Sequence, residues 1–308
     1  MRRIAFLGPP GTFGEEALLT QADYALAELV GLRTMSDVLA ATEAGEVDLG
    51  FVALENSIEG TVRPVLDHLV FETDLFVQRE VVLPISQNLL APAGLGLADV
   101  RRVVSFPDAM EQCRLFFARE LPGAEMVAAT STAEAARVVA GERPPHTAAL
   151  GTGLAARLYG LEIIAPEVED HPENSTRFVA VARQGVPAPT GHDKTSIVCF
   201  QRADRPGNLH LISGQFAARE INLTKFESRP TKRSLGDYCF IIDFEGHIAD
   251  EVVADCLRNL HVELGRVKFL GSYPAAGEHG DATRKGVTES QRAADLWLTS
   301  LRNQIRPA

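Results

Sequence analysis

The chain has 308 residues, of which 45% are hydrophobic, so it can bury a substantial core and build two or three domains. This composition excludes a disordered or fibrous chain. The formal net charge of −11 would repel a phosphate backbone, and no local block of Lys and Arg reverses it. We therefore exclude nucleic acid as a partner, and an anionic ligand would have to be recognised by local donors.

The N-terminus and the cysteines indicate a cytoplasmic protein. Met1 to Leu7 carries only a short apolar run, unlike a signal peptide, and no stretch approaches the ~20 apolar residues of a membrane helix. The four cysteines are widely spaced and form no CxxC pair, which argues against a zinc site and a disulfide framework. They are Cys113, Cys199, Cys239 and Cys256. We expect reduced thiols, no metal and no membrane association.

The first part of the chain, residues 1–184, has the alternation of short β-branched runs and helical patterns that is typical of an α/β domain with a mostly parallel sheet. The predicted strands are Ile4 to Leu7, Leu49 to Leu54, Val103 to Phe106, Ala148 to Gly151 and Arg177 to Ala182.

A helix, a glycine stop and a strand occur twice in this region. One copy opens at Ser36 and passes through Gly45, and the other opens at Thr132 and passes through Gly141. Two similar lobes facing a common cleft would explain the repetition, since ligands of open α/β sheets collect beyond the carboxyl ends of strands. The alternative is that helix, glycine and strand are a generic α/β pattern.

A Pro- and Gly-rich segment from Gln184 to Lys194 predicts a domain boundary. Residues 194–274 then predict strand, helix, two strands, helix and strand, the βαββαβ order of a ferredoxin-like fold. Residues 275–308 predict a polar tail with a short amphipathic helix after Thr288, which Gln291 would help to cap. The apolar face of that helix would contain Ala293, Leu296, Trp297 and Leu301.

Two segments rich in glycine and polar residues follow predicted strands. Gly8 to Gly14 follows the first strand, and Glu55 to Thr61 follows the second. Backbone N–H groups in such turns can hold an anion, although a tight βα turn is an alternative reason for the glycines. Neither the Gly-Lys-Ser/Thr of a P-loop nor the GxGxxG spacing is present, so no nucleotide cofactor is implied.

Neutral polar side chains also stand at strand ends. Asn56 and Ser57 can donate to a carboxylate, whereas Ser57 or Thr61 could merely cap a helix. Ser105 ends another strand, and the helix that starts after it presents Gln112. Capping is a sufficient alternative reason for a Ser at such a place.

Thr176 and Arg177 open the last strand of the first domain, on opposite faces. If Thr176 faces a ligand, Arg177 could instead hold the sheet through a salt bridge.

Together these segments resemble the prephenate dehydratase family. The turn after the first strand resembles the family's Gly-Pro-x-Gly-Thr-Phe-Ser, Glu55 to Gly60 resembles Glu-Asn-Ser/Thr-x-x-Gly, and Asn174 to Phe178 contains Thr-Arg-Phe. Further on, Asp204 to Leu209 resembles the phenylalanine-binding Gly-Ala-Leu segment of ACT domains, and Glu227 to Pro230 matches Glu-Ser-Arg-Pro. The resemblance covers residues 2 to 274.

Four positions depart from the family patterns. Gly14 replaces the usual Ser, Phe106 stands where a His often precedes the Pro, and Asn208 and His210 alter the Gly-Ala-Leu-Val consensus. These departures concern ligand contacts.

The resemblance implies a bilobal fold like type II periplasmic binding proteins, which converts prephenate to phenylpyruvate, water and CO2 in the cleft. It implies that Thr176 is the catalytic donor and that no metal or organic cofactor is needed. The implied substrate-binding residues are Thr12, Asn56, Ser57, Ser105, Gln112 and Arg177. Neutral donors suit a decarboxylation, because a cation held on the departing carboxylate would stabilise the ground state.

Two alternatives remain open on the sequence. One is an arogenate dehydratase, whose substrate carries an amino acid in place of the pyruvyl group. The other is a non-catalytic bilobal ligand-binding protein, which should lack Thr-Arg-Phe and, if secreted, should carry a signal peptide. No segment of the sequence resembles a chorismate mutase helix, so a monofunctional enzyme is expected.

The second domain, by the same resemblance, is an ACT domain that binds phenylalanine as an allosteric effector. Such domains pair side by side, so a homodimer or homotetramer is expected. The implied effector-binding residues are Gly207, Asn208, Leu209, Glu227, Ser228, Arg229 and Pro230. The alternative for Ser228 and Arg229 is a role in a turn or an interface.

Overall fold

A computed structural model describes residues 1–201, 205–232, 234, 236–277 and 296–304. The chain folds into two compact units, one of Met1–Pro187 with Lys268–Gly271, the other of Ala188–Val267 with Ser272–Ala308. The division after Pro187 falls within the segment that the sequence predicts as a linker. The domain limits at 184 and 194 stay predictions.

The first unit is a mixed α/β structure with two sheets. In chain order its elements are β1 (Arg3–Leu7), α1 (Phe13–Leu19), β2 (Glu28–Leu32), α2 (Met35–Ala44), β3 (Leu49–Asn56), β4 (Gly60–Thr61), α3 (Arg63–Phe71), β5 (Phe76–Pro84), β6 (Asn88–Ala91), β7 (Arg102–Ser105), α4 (Pro107–Glu111), α5 (Arg114–Glu120), β8 (Glu125–Ala128), α6 (Thr132–Glu142), β9 (Thr147–Gly151), α7 (Gly153–Tyr159), β10 (Glu162–Ala165) and β11 (Ser175–Ala182).

Neither sheet is mostly parallel, which corrects the prediction from sequence. The first sheet has the order β2-β1-β3-β11-β5, in which β1 is parallel to β2 and β3, whereas β11 is antiparallel to β3 and β5. The second has the order β10-β6-β9-β7-β8. In it β7 is parallel to β9 and β8, whereas β6 is antiparallel to β10 and β9. The chain leaves the first sheet after β5 and returns to it in β11, so the returning strand runs against its neighbours.

Each sheet is covered by helices through apolar clusters. Phe6, Leu49 and Phe178 of the first sheet pack in one cluster with Leu18 of α1. In the second sheet, Val103 and Leu150 pack in one cluster with Phe117 of α5. A separate cluster contains Leu90 and Val104 of the same sheet and residues of α6 and α7. Burial of these apolar side chains supplies most of the driving force for folding.

The predicted repeat corresponds to α2 followed by β3 and α6 followed by β9. Gly45 ends α2 in the left-handed conformation, as glycine commonly does. Gly141, however, lies inside α6, and Arg143 takes the left-handed position after it. The second predicted stop is therefore two residues early.

The second unit has the predicted βαββαβ order. Its elements are β12 (Asp193–Phe200), α8 (Asn208–Ala217), β13 (Leu223–Pro230), β14 (Tyr238–Glu245), α9 (Glu251–Leu264) and β15 (Arg266–Pro274), and the sheet order is β13-β14-β12-β15. Helix α9 buries Val253, Cys256, Leu260 and Leu264 along one face.

All four cysteines are free and buried. Burial raises the pKa of Cys199 to about 12 and that of Cys256 to about 11, so these thiols are protonated near neutral pH.

In the predicted tail, residues 296–302 are helical, and the Leu296 and Trp297 side chains are exposed. Thr288, Gln291 and Ala293 of the predicted helix lie outside the described residues. Among the described helices, none is long and apolar enough to cross a membrane.

Candidate active site

A cavity of about 720 Å³ lies between the two sheets of the first unit. Its wall includes Leu7 at the end of β1 and Asn56 at the end of β3, together with Phe106 after β7 and Thr130 after β8. The carboxyl ends of parallel strands from both sheets thus face one cavity, where ligands of α/β proteins usually bind. The volume is that of a typical small-molecule site.

Part of the cavity wall is aromatic. The Phe51 and Phe178 rings, both in the wall, stack with centroids 5.4 Å apart and planes 9° apart, and Phe13 also lines the cavity. Apolar faces of this kind bind a six-membered ring while leaving its substituents to polar groups elsewhere.

Two helix N-termini also line the cavity, one from a helix on each sheet. Thr34 accepts a hydrogen bond from the Asp37 N–H at the start of α2, and Ser131 accepts one from the Glu134 N–H at the start of α6. The partial positive charge of a helix N-terminus favours anions. The cavity is therefore suited to an anionic ligand despite the net charge of the chain.

Thr176 is held by Asn56. The Asn56 Oδ1 accepts the backbone N–H groups of Ile58 and Glu59 at 2.9 and 3.1 Å, which fixes the orientation of its amide. Its Nδ2 therefore faces Thr176 and donates to the Thr176 Oγ1 at 3.0 Å. Since Thr176 accepts that bond, its own hydroxyl proton is left to donate to a ligand. Thr176 is buried in the cavity wall.

The same amide begins a chain of oriented hydrogen bonds that crosses the cavity. Asn56 Nδ2 also donates to Asn174 Oδ1 at 2.8 Å, and Asn174 Nδ2 donates to Gln112 Oε1 at 3.0 Å. The Gln112 Nε2 then points toward Glu59, with 3.4 Å between Nε2 and Oε1. Gln112 and Glu59 both line the cavity, so a single network links polar side chains that follow strands of both sheets.

Thr12 lines the cavity, but its hydroxyl serves the main chain. It donates to the Leu7 carbonyl at 2.9 Å and caps α1 by accepting from the Glu15 N–H. The turn before it is fixed by the residue that caps α7, since the Thr152 hydroxyl donates to the Gly11 carbonyl at 2.7 Å. We conclude that Thr12 positions the turn and contributes no free hydroxyl donor.

Three of the predicted substrate-binding residues lie outside the described cavity wall. Ser105 is fully buried, and its Oγ donates to the Leu150 carbonyl inside the second sheet at 2.9 Å. Ser57 bonds to Asn174 and to the Ser175 N–H. Both hydroxyls therefore support the sheet and the network.

Arg177, the third, points to the opposite face of β11 from Thr176. Its guanidinium pairs with the buried Glu80 at 2.5 Å and with Glu55 at 3.5 Å. The position matches the alternative that the sequence left open, in which Arg177 holds the sheet through a salt bridge.

The cavity also contains charged residues that sequence reasoning missed. Arg63 at the start of α3 is the one cation among the described residues of the wall, which also includes Glu59 and Asp108. Asp108 is largely exposed, but partial desolvation by its neighbours, and after it the negative charge of Glu59, raises its pKa. The sequence suggests only a helix start for Asp108, and Arg63 follows a strand too short to predict. Gln87 and the capping Ser131 were also missed.

In the second unit, Gly207 has a φ of +90° and precedes α8. Leu209 is half exposed, and the Asn208 amide donates to Gln201 Oε1 at 2.6 Å. Burial alternates along β13, so that Glu227 and Arg229 are partly buried while Ser228 and Pro230 are exposed. Asp204 lies outside the described residues. These residues all belong to the second unit, and their role in effector binding stays a prediction.

The fold and cavity define an α/β protein with a small-molecule site between two sheets, lined by two helix N-termini and joined to a βαββαβ unit. The sequence model of the family "Prephenate dehydratase" matches residues 4–186. A relative of that name from Mycolicibacterium vanbaalenii is 41% identical over 98% of this chain and 99% of its own length. The chain belongs to the prephenate dehydratase family.

Solved structures show the same similarity. A prephenate dehydratase from Arthrobacter aurescens in complex with L-Phe has a TM-score of 0.88 at 37% identity, over 98% of this chain and 99% of that one. A second structure, GqqA, described as a quorum quenching acylase, has a TM-score of 0.80 at 32% identity, over 89% and 98%.

Proposed function

We propose that this chain is a prephenate dehydratase, which converts prephenate to phenylpyruvate, water and CO2. The observation that carries the proposal is the Thr176 hydroxyl, kept as a donor by Asn56 beside an aromatic wall. Membership of the family supports the reaction, and the two helix N-termini support a substrate with two carboxylates.

The reaction needs a donor and correct orientation. Cleavage of the ring C–O bond releases hydroxide, which takes up a proton to leave as water, and the electron pair of the breaking C–C bond enters the ring as CO2 departs. Aromatisation of the ring drives both losses. A hydrogen bond from Thr176 to the leaving oxygen strengthens as negative charge develops there in the transition state. A threonine hydroxyl is too weak an acid to transfer its proton fully before that point.

The remaining residues of the cavity hold the substrate. Asn56 and Gln112 are oriented by the network, and the N-termini of α2 and α6 offer N–H groups to carboxylates. Arg63 is exposed at the cavity, where it suits the pyruvyl carboxylate that is retained in the product. In this arrangement the two sheets are the lobes of a fold like type II periplasmic binding proteins.

The test is an assay of the purified chain with prephenate, arogenate and an acylase substrate in parallel. We expect phenylpyruvate from prephenate, with a kcat/KM at least tenfold above that for arogenate. Preferred turnover of arogenate would favour the alternative of an arogenate dehydratase. Hydrolysis of the acylase substrate alone would assign this chain the activity named for GqqA.

We further propose that the second unit is an ACT domain that binds phenylalanine and regulates the enzyme. The βαββαβ order and the sheet order support this fold, and the Arthrobacter aurescens relative was crystallised with L-Phe. A homodimer or homotetramer and a cytoplasmic location stay predictions.

A further inference from the structure

Gln87 has a buried side-chain amide, and its oxygen is unpaired in the part of the chain that the structure describes. It is 2% exposed and lines the cavity, yet its Oε1 has no hydrogen-bond partner among the described residues. Buried polar atoms are nearly always paired, because desolvation without a compensating hydrogen bond is costly. An unpaired one in the wall of a binding cavity therefore calls for a functional reason.

Main-chain hydrogen bonds fix Gln87 in the wall of the cavity. It lies on the crossover from β5 to β6, between the two sheets. Its N–H donates to Glu169 Oε2 and its carbonyl accepts from the Val168 N–H, both at 2.8 Å. Two residues earlier, the Ile85 N–H donates to the Asn174 carbonyl at 2.8 Å. Gln87 is thus anchored beside the network that orients Asn56 and Gln112.

The next residue, Asn88, has a buried side-chain amide that is hydrogen-bonded within the fold. Its Nδ2 donates to the Ser86 and Gly151 carbonyls at 3.3 and 3.5 Å, and its Oδ1 lies 3.4 Å from the Glu167 N–H. The Asn88 amide is used by the fold, whereas that of Gln87 is not.

We propose that Gln87 is a substrate-binding residue whose carboxamide pairs with an anionic substrate. The assignment rests on the proposed function. No described residue forms a hydrogen bond with the amide oxygen, so rotation about the last side-chain torsion can turn the N–H2 end toward a substrate carboxylate. A neutral donor of this kind holds a carboxylate without the ground-state stabilisation that a buried cation would give.

The test compares Gln87→Met, Gln87→Glu and the matched control Asn88→Leu in the full chain, by steady-state kinetics and thermal unfolding. We expect Gln87→Met to raise the KM for prephenate about tenfold, since it removes a hydrogen bond to a charged group. Its Tm should equal or exceed that of the wild type, because an apolar group of similar shape replaces an unpaired polar one. Gln87→Glu should raise KM further through repulsion of the dianion.

Asn88→Leu should behave in the opposite way, with a lower Tm and an unchanged KM where it folds. A wild-type KM in both Gln87 variants would overturn the proposal, as would a Gln87→Met protein less stable than the wild type. If the wild type is active and its KM equals that of the Gln87 variants, the role of Gln87 fails but the proposed reaction is unaffected. If the wild type itself does not turn over prephenate, the proposed function fails, and the proposal, which requires a prephenate site, is overturned with it.

Discussion

Thr176 combines a buried position with a hydroxyl proton that no described residue accepts. We expect Thr176→Val, which keeps the shape and removes the donor, to lower kcat by about 10² or more, the usual effect of losing a positioned donor. Thr176→Ser retains the hydroxyl and should lose much less. Circular dichroism would establish that both variants fold, and a Thr176→Val enzyme with wild-type kcat would remove Thr176 from the mechanism.

Asp108 places a negative charge at a cavity for an anion. Because partial desolvation and Glu59 raise its pKa, the folded chain binds the proton more tightly than the unfolded chain. Its carboxylate therefore costs stability above the folded pKa, and this cost disappears as the pH falls through that pKa toward the unfolded value.

Asp108→Asn should lower the KM for prephenate about two- to fivefold near neutral pH, a modest effect since the exposed side chain is screened by solvent. The difference from the wild type should vanish as the pH falls through the Asp108 pKa. The control is Asp99→Asn, on the short turn Leu97–Asp99 outside the described cavity wall. A KM for Asp108→Asn that equals the wild-type value at every pH would contradict the repulsion.

At the level of elements, the start of α6 performs two tasks through Ser131, which caps the helix and lines the cavity. Ser131→Ala should lower the free energy of unfolding by about 1 kcal/mol. Ser131→Asp preserves the cap, so its stability should stay near that of the wild type, but its charge should raise the KM for prephenate several-fold. Denaturant unfolding and steady-state kinetics separate the two effects. Equal KM values in the wild type and Ser131→Asp would show that the α6 N-terminus does not face the substrate.

In the first unit the sequence predicts the apolar strands β1, β3, β7, β9 and β11 and misses others of similar length. Strands β8 and β10 have four residues each, too few to show an alternation, and their side chains are largely exposed. The longer β5 was also missed, because the buried Glu80 interrupts its apolar pattern. Only the pairing of Glu80 with Arg177, 97 residues away, makes that position compatible with the core.

The same limit applies to the site. The motifs place Thr12, Asn56, Gln112 and Thr176 in the cavity wall. They do not determine which way a side chain at a strand end points, and the hydroxyl of Ser105 donates to the Leu150 carbonyl inside the sheet. A substrate contact from Ser105 stays a prediction. Local pattern also gives no signal for Gln87, whose position depends on a crossover between sheets.

For the whole molecule, a regulatory second unit requires that phenylalanine bind more tightly to a less active arrangement of the chain. Useful feedback needs a coupling free energy of about 1 to 3 kcal/mol. We therefore expect phenylalanine to inhibit prephenate turnover. Deletion of the chain after about Gly185 should remove the inhibition, although loss of assembly would have to be checked by light scattering.

Ser228→Ala is the sharper test, since Ser228 is exposed on β13 and its loss should leave folding and uninhibited kcat unchanged. We expect the phenylalanine concentration for half-inhibition to rise about five- to tenfold, the effect of losing one hydrogen bond to the ligand. Thr224→Ala, also exposed on β13, is the matched control and should keep wild-type inhibition. Equilibrium binding to the fragment from Lys194 to Pro274 adds an independent measurement. If that fragment dimerises but has no affinity for phenylalanine at millimolar concentration, the second unit serves assembly and is not the sensor.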